Sequence, residues 1–249
     1  VINNNYELHL YTEKVWGLMN FTYNKFDFHI GGTIGAEEMW RVGLMKNGRF
    51  PENSYGQSEI KSFLTYGAKA GFTYKVTGRN YISINSHFAN EAPSILNAFL
   101  APRIRNTYVT NLTTEKVLGL DLSYIMKYPK FQMRLTGYYT NFWDLTRVIS
   151  FYHDDYATMV NYAMNGINQR HMGIEMGAEW KMTSMFSLIM AGNFGDYRYS
   201  NIPNVNINAV NGYDILSSGS QDNVETVYWK DYFVAGTPQV ATTLGLKFN

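Results

Sequence analysis

The sequence predicts an all-β chain, an antiparallel up-and-down transmembrane β-barrel segment of about ten strands. Three observations predict it. Polar and apolar residues alternate with period two over long stretches, the connections between those stretches alternate short and long, and aromatic residues crowd beside the short connections.

The alternation is clearest from Met172 to Met182, where Met172, Ile174, Met176, Ala178, Trp180 and Met182 share one face. Gly173, Glu175, Gly177, Glu179 and Lys181 share the other. Successive strand side chains point to opposite faces, so this is a strand with one apolar and one polar surface. Leu64, Tyr66, Ala68, Ala70, Phe72, Tyr74 and Val76 repeat the pattern, as do Leu118, Leu120, Leu122 and Tyr124, and finally Val240, Thr242, Leu244, Leu246 and Phe248. Strands are expected over 13–23, 26–35, 60–76, 80–89, 113–126, 130–143, 165–182, 185–197, 225–235 and 238–248. Short connections fall near Asn24-Lys25, Thr77-Gly78-Arg79, Lys127-Tyr128-Pro129, Thr183-Ser184 and Gly236-Thr237. Long ones cover 36–59, 90–112, 144–164 and 198–224. Tight turns at one end and long loops at the other are the plan of an outer-membrane barrel. Greek-key sandwiches have no reason to keep that order.

Aromatic residues mark the ends with short turns: Tyr23, Phe26 and Phe28, then Tyr74 and Tyr81, then Tyr124, Tyr128 and Phe131, then Trp180 and Phe186. Amphipathic rings favour the headgroup level, so these clusters read as an interfacial girdle. The apolar faces then meet lipid and the polar faces a wet lumen. Gly173 and Gly177 leave that lumenal face bare, which suits a close approach from inside.

Composition narrows the function. The 249 residues suit one β domain, and 21 Lys+Arg against 20 Asp+Glu gives a net charge of +1. Only 16% of residues are charged and 16% are aromatic, which excludes a nucleic-acid-binding tail and a coiled coil. The absence of cysteine removes disulfides, thiolate metal sites and cysteine nucleophiles. Mean hydropathy is -0.26, and no continuous apolar run is long enough for a membrane helix. Val1-Ile2-Asn3-Asn4-Asn5 does not open like a signal peptide, so the chain reads as mature or excised.

No catalytic motif stands out, so no enzyme is expected. Glu175 and Glu179 lie ~13 Å apart along a strand, too far for a glycosidase carboxylate pair. His153-Asp154-Asp155, flanked by Tyr152 and Tyr156, reads as a solvated loop tip rather than a metal site. Trp40 and Arg41 in the first long loop, Tyr152, His153, Asp154 and Tyr156 in the third, and Tyr213, Tyr228 and Trp229 around the fourth are candidate ligand contacts. They suit an upper aromatic girdle equally well. Residues 201–223 are rich in Asn and Ser and read as a loop. Arg134, Glu175, Glu179 and Lys181 are candidate lumenal contacts.

Three segments also carry a resemblance. "NGINQRHMGIEMGAEWKM" (165–182) resembles the late barrel strand of TonB-dependent outer-membrane receptors. The stretch from Glu91 to Leu145 is similar to another of their signatures: an Ala-Pro-Ser after a strand, a Glu-Lys opening the next one, then a Tyr-Tyr strand leading to an Asp. "VAGTPQVATTLGLKF" (234–248) resembles the family's strand that starts at Gly-x-Pro. The likeness is to the large receptors that carry a carboxypeptidase-like domain ahead of the plug. It implies that 1–249 is part of a barrel of about 22 strands, with the plug, the first barrel half and the final strands lying elsewhere in a longer chain. It implies a plug domain of the same full-length chain, a TonB complex, outer-membrane lipid, an imported ligand and a surface lipoprotein as the partners to consider, with no nucleic acid or cofactor. Arg134, Glu175, Glu179 and Lys181 would then meet the plug.

Two other readings stay open on the residues. One is a self-contained small barrel (pore, adhesin or surface protease), which needs 13–23 to pair with 238–248. The other is a soluble β-rich module whose Met and Trp faces pack on a second sheet. In the importer reading, truncating Trp40 and Trp229 weakens ligand capture more than folding.

Overall fold

A computed structural model describes residues 4–154, 157–209 and 224–248. Twelve strands form a single antiparallel sheet. They are β1 (Tyr6–Tyr23), β2 (Phe26–Gly43), β3 (Gly56–Gln57), β4 (Lys61–Lys75), β5 (Asn80–Glu91), β6 (Glu115–Lys127), β7 (Phe131–His153), β8 (Thr158–Lys181), β9 (Phe186–Tyr199), β10 (Asn204–Ala209), β11 (Val224–Thr226) and β12 (Val240–Phe248). One short helix, α1 (Ile95–Ala98), lies between β5 and β6.

The long strands make a wall in the order β1-β2-β4-β5-β6-β7-β8-β9-β12. Each neighbour in the wall is joined to the next along the chain, as an up-and-down meander requires. The hairpin turns at 24–25, 76–79, 128–130 and 182–185 are short. Asn24 sits at φ 51, a left-handed conformation that asparagine tolerates better than most residues.

Register turns the alternation into two surfaces. Asp27, Thr73, Ser83, Ser123, Thr136, Glu175 and Asn193 lie side by side across seven strands, polar without interruption. One residue along, Phe28, Phe72, Ile84, Leu122, Gly137, Ile174 and Phe194 form an apolar row on the opposite face. A water-soluble sheet would bury the second row. Here Leu122 is 55% exposed while its neighbour Ser123 is fully buried, and Ile174 and Phe194 are 54% and 57% exposed. This inverted dressing fits a wall with lipid outside and a polar interior. Beside the short turns Tyr23, Phe26, Tyr74 and Tyr124 share the apolar face, and the Phe26 and Tyr74 rings stack at 5.3 Å. Tyr81 departs from the expected girdle: it pairs with Lys75 on the polar face.

Several boundaries differ from those read in the sequence. The strand expected at 26–35 runs to Gly43, so Trp40 and Arg41 sit in β2 rather than in a loop. The long loop expected over 144–164 is the upper part of a β7–β8 hairpin. Bulges between Phe142 and Leu145 and between Leu145 and Arg147 break its register, with Asp144 at φ 58. The strand expected over 225–235 is reduced to β11, which pairs with β10 above β8. Gly236-Thr237 is therefore not a tight turn between wall strands, because β12 pairs directly with β9. Ten of the twelve strands still hold six residues or more.

The wall is open. Among the described residues β1 pairs only with β2 and β12 only with β9, so the closing pair that a self-contained small barrel needs is not made. Buried apolar clusters lie at the long-loop end. Met39, Ala98 and Phe99 form one, Leu100, Val109 and Ala163 a second, and Leu145, Val160, Met164 and Ile167 a third. Through them the 92–114 segment packs on β2 and on the β7–β8 hairpin.

Candidate functional site

Two regions position the residues that could meet a ligand: the polar face of the wall and the packed structure at the long-loop end.

On the polar face a hollow of about 730 Å³ spans β5 to β12, lined among others by His87, Asp121, Arg134, Tyr138, Glu175 and Asn193. Its floor is cross-linked between strands. Thr73 donates to Ser83 at 3.0 Å, Ser123 and Thr136 hydroxyls meet at 2.9 Å, and Asn85 donates to Asp121 at 2.8 Å. The Arg134 Nη2 donates to Ser123 at 3.2 Å, which holds the guanidinium over the buried hydroxyl row. Tyr138 donates to Asn193 at 2.9 Å and also bonds the Tyr197 hydroxyl. Lower down, Lys75 pairs with Asp27 at 2.6 Å. Hydroxyls and amides thus satisfy one another, while Arg134 and Glu175 stay exposed to the hollow.

Arg134, Glu175, Glu179 and Lys181 share this face, as their strand parity requires, and Arg134 and Glu175 line the same hollow. The two glycines divide. A side chain at Gly173 would meet the Phe194 carbonyl at 2.4 Å and the Tyr138 hydroxyl at 2.6 Å, so its close approach is made by neighbouring strands. Gly177 has nothing within 4 Å and is open to the interior.

At the other end, Arg41 is a structural residue. It is 2% exposed, and its Nε donates to the Pro102 carbonyl at 2.6 Å. Its Nη1 donates to the Ser54 carbonyl at 3.0 Å and to Asn106. One buried cation thereby ties the 44–60 connection to the 92–114 segment, and it is not available to a ligand outside. Tyr108 reinforces the joint, its single hydroxyl proton shared between the Met39 and Glu59 carbonyls, each at 2.8 Å, and burial pushes its hydroxyl pKa up from the ordinary value. This joint was not legible in the sequence, because its acceptors come from residues 54, 102 and 106.

The remaining candidates scatter. Trp40 stacks on His9 at 5.1 Å with parallel planes. It shares strand parity with Phe28 and Ile34, which places it on the outer face. Trp229 packs on Tyr199 at 4.6 Å, against the cluster around Leu145. Tyr228 is 73% exposed beside it. Tyr152 is exposed near the tip of the β7–β8 hairpin, where His153 ends the strand and Asp154 follows in the turn. Tyr156 and Tyr213 lie outside the described residues. Among the described residues no three His, Asp or Glu side chains gather as metal ligands.

No protein-family model matches the sequence, and neither does any curated protein. Solved structures do match. The copper transporter OprC superposes with a TM-score of 0.63 at 13% identity, over 80% of this chain and 33% of its own. The ferric-catecholate import receptor Fiu from E. coli, in a closed form, gives 0.63 at 14% identity, over 98% of this chain and 33% of its own. One is a transporter and the other an import receptor, and this chain spans about a third of the length of each. The nine-strand wall, polar on one face and apolar on the other, has the fold of part of each of these two proteins.

Proposed function

We propose that the chain is part of the barrel domain of an energy-coupled outer-membrane importer, contributing lipid-facing wall, lumenal lining and extracellular loops. The observation that carries this reading is the polar row that crosses the wall above a bare, exposed apolar face, in a sheet left open at both edges. An open edge in a membrane leaves backbone groups unpaired in hydrocarbon, so β1 and β12 need further strands of the same full-length chain. A barrel of about 22 strands, of which this wall would supply nine, encloses a lumen wide enough for a plug domain. Arg134, Glu175, Glu179 and Lys181 face where a plug would stand, and we assign them to plug or cargo contact. Tyr152, Asp154 and Tyr228 stand free at the mouth and are assigned to first contact with the ligand. In this reading a TonB complex acts on the plug, and a surface lipoprotein would meet the long-loop end.

The test compares cells carrying the full-length protein with a deletion strain, measuring solutes removed from a complex medium by mass spectrometry. An importer of this kind depletes at least one solute only when the protein is present, and stops when a protonophore collapses the proton gradient. Depletion that continues after the protonophore contradicts energy coupling and indicates a passive pore.

A further inference from the structure

One register row on the outer face breaks the apolar band. Asn141 pairs with Arg170, Arg170 with Arg198, and an isolated bridge continues the row from Arg198 to Phe233. Beneath it come Tyr139, Met172 and Asp196, then Gly137, Ile174 and Phe194. Arg170 stands ten residues along β8 from Trp180, which belongs to the girdle beside the short turn. At ~3.3 Å per residue and a strand tilt of ~40°, that is a height of about 25 Å, the usual height of a barrel's lipid-facing band. The two arginines therefore stand at the far membrane interface, at headgroup level.

Among the described residues a single carboxylate answers both of them. One carboxylate, Asp196, meets Arg198 Nε at 2.6 Å and Arg170 Nη2 at 3.6 Å. Arg198 is fixed in place: its Nη1 donates to the Asp231 carbonyl at 2.8 Å, and its guanidinium lies 4.3 Å from the Phe233 ring centre. Arg170 Nε is sheltered and has no acceptor among the described residues. Two guanidiniums share one counter-ion at only 3.6 Å from the second, and both side chains are about a third exposed (38% and 33%). A solvated surface pair would need one arginine. The exposed part of the Arg170 guanidinium therefore offers charged N–H donors of the kind that phosphate oxygens accept.

We propose that Arg170 and Arg198, backed by the Phe233 ring, form a seat for the phosphate of an anionic membrane lipid whose acyl chains run down over Met172, Ile174 and Phe194. Phe233 is exposed beside Arg198 and supplies an apolar shoulder at the headgroup boundary. The site rests on the membrane placement of the wall but not on import.

The experiment uses the full-length protein in detergent, titrated with phosphatidic acid or phosphatidylcholine and read by native mass spectrometry. Wild type is expected to retain phosphatidic acid in preference to phosphatidylcholine, with no displacement by inorganic phosphate. Arg170→Gln should weaken phosphatidic acid binding about tenfold, the loss of one charge-assisted contact. Asp196→Asn should tighten it, because the internal competitor for both guanidiniums is gone. Opposite signs at adjacent positions separate a binding site from general damage. Retention by Arg170→Gln equal to wild type, weaker binding by Asp196→Asn, or displacement of the lipid by inorganic phosphate overturns the proposal. Retention of neither lipid by wild type, or wild-type retention by both variants, overturns this site, whereas full-length protein that stays in solution without detergent overturns the membrane placement itself.

Discussion

Arg41 shows how far a single side chain organises the long-loop end. A buried guanidinium is stable only where its N–H groups find acceptors, and here the Ser54 and Pro102 carbonyls and the Asn106 amide supply them. Arg41→Met keeps the length and apolar stem but leaves those acceptors buried and unpaired, at a cost of roughly 1–3 kcal/mol each. Limited proteolysis of the full-length protein should show new cleavage within 44–60 and 92–114, with the barrel intact; an unchanged cleavage pattern would contradict the joint. Gly71 is a second fixed point, on the lumenal face. A Cβ there would lie 2.0 Å from His29 Cε1 and 2.4 Å from Asn85 Oδ1. Gly71→Val should displace His29 and lower the temperature at which the folded barrel unfolds on heated gels, whereas Gly177→Val, which meets nothing, should leave it unchanged. Residue type alone suggested Arg41 and Trp229 as ligand contacts. Their partners come from distant segments, so their burial was not readable from neighbouring residues.

At the scale of the element, the wall strands were legible because one alternation governs them throughout. In the proposed placement every second residue meets lipid, and a charge there costs ~2–4 kcal/mol at mid-depth. Ile174→Lys should therefore reduce the amount of folded protein in the outer membrane severalfold, while Glu175→Lys, one residue along the same strand, should not; equal yields of the two variants would contradict the assigned faces. Above the band the rule lapses. In the β7–β8 hairpin two bulges interrupt the register between Phe142 and Arg147, so period two breaks there and a continuous strand reads as a loop. The segment over 225–235 shows the opposite error. It is rich in β-branched and aromatic residues, yet β12 takes the place beside most of β9 and leaves it the short pairing with β10 and an isolated bridge at Arg198. Strand propensity was visible in the sequence; competition for an edge was not.

For the whole molecule, the open edges decide what this stretch of chain can do alone. β1 exposes Val15 on one face and Trp16 on the other, and among the described residues β1 is unpaired on the side away from β2 and β12 on the side away from β9. Residues 1–249 produced in isolation should not give a heat-modifiable monomer of 28.6 kDa on gels, the mark of a closed barrel. Such a band would mean that β1 and β12 can meet. The central claim is the assignment of the two faces to lipid and lumen, and β8 tests it most directly. Residues 1–249 contain no cysteine, so single cysteines can be placed from 172 to 181 in the full-length protein, with any cysteine elsewhere replaced, labelled with a fluorophore and exposed to a quencher carried by the lipid chains. Quenching should alternate: strong at 172, 174, 176 and 180, and absent at 173, 175, 177, 179 and 181. Quenching at the odd positions, or at neither set, would contradict the account.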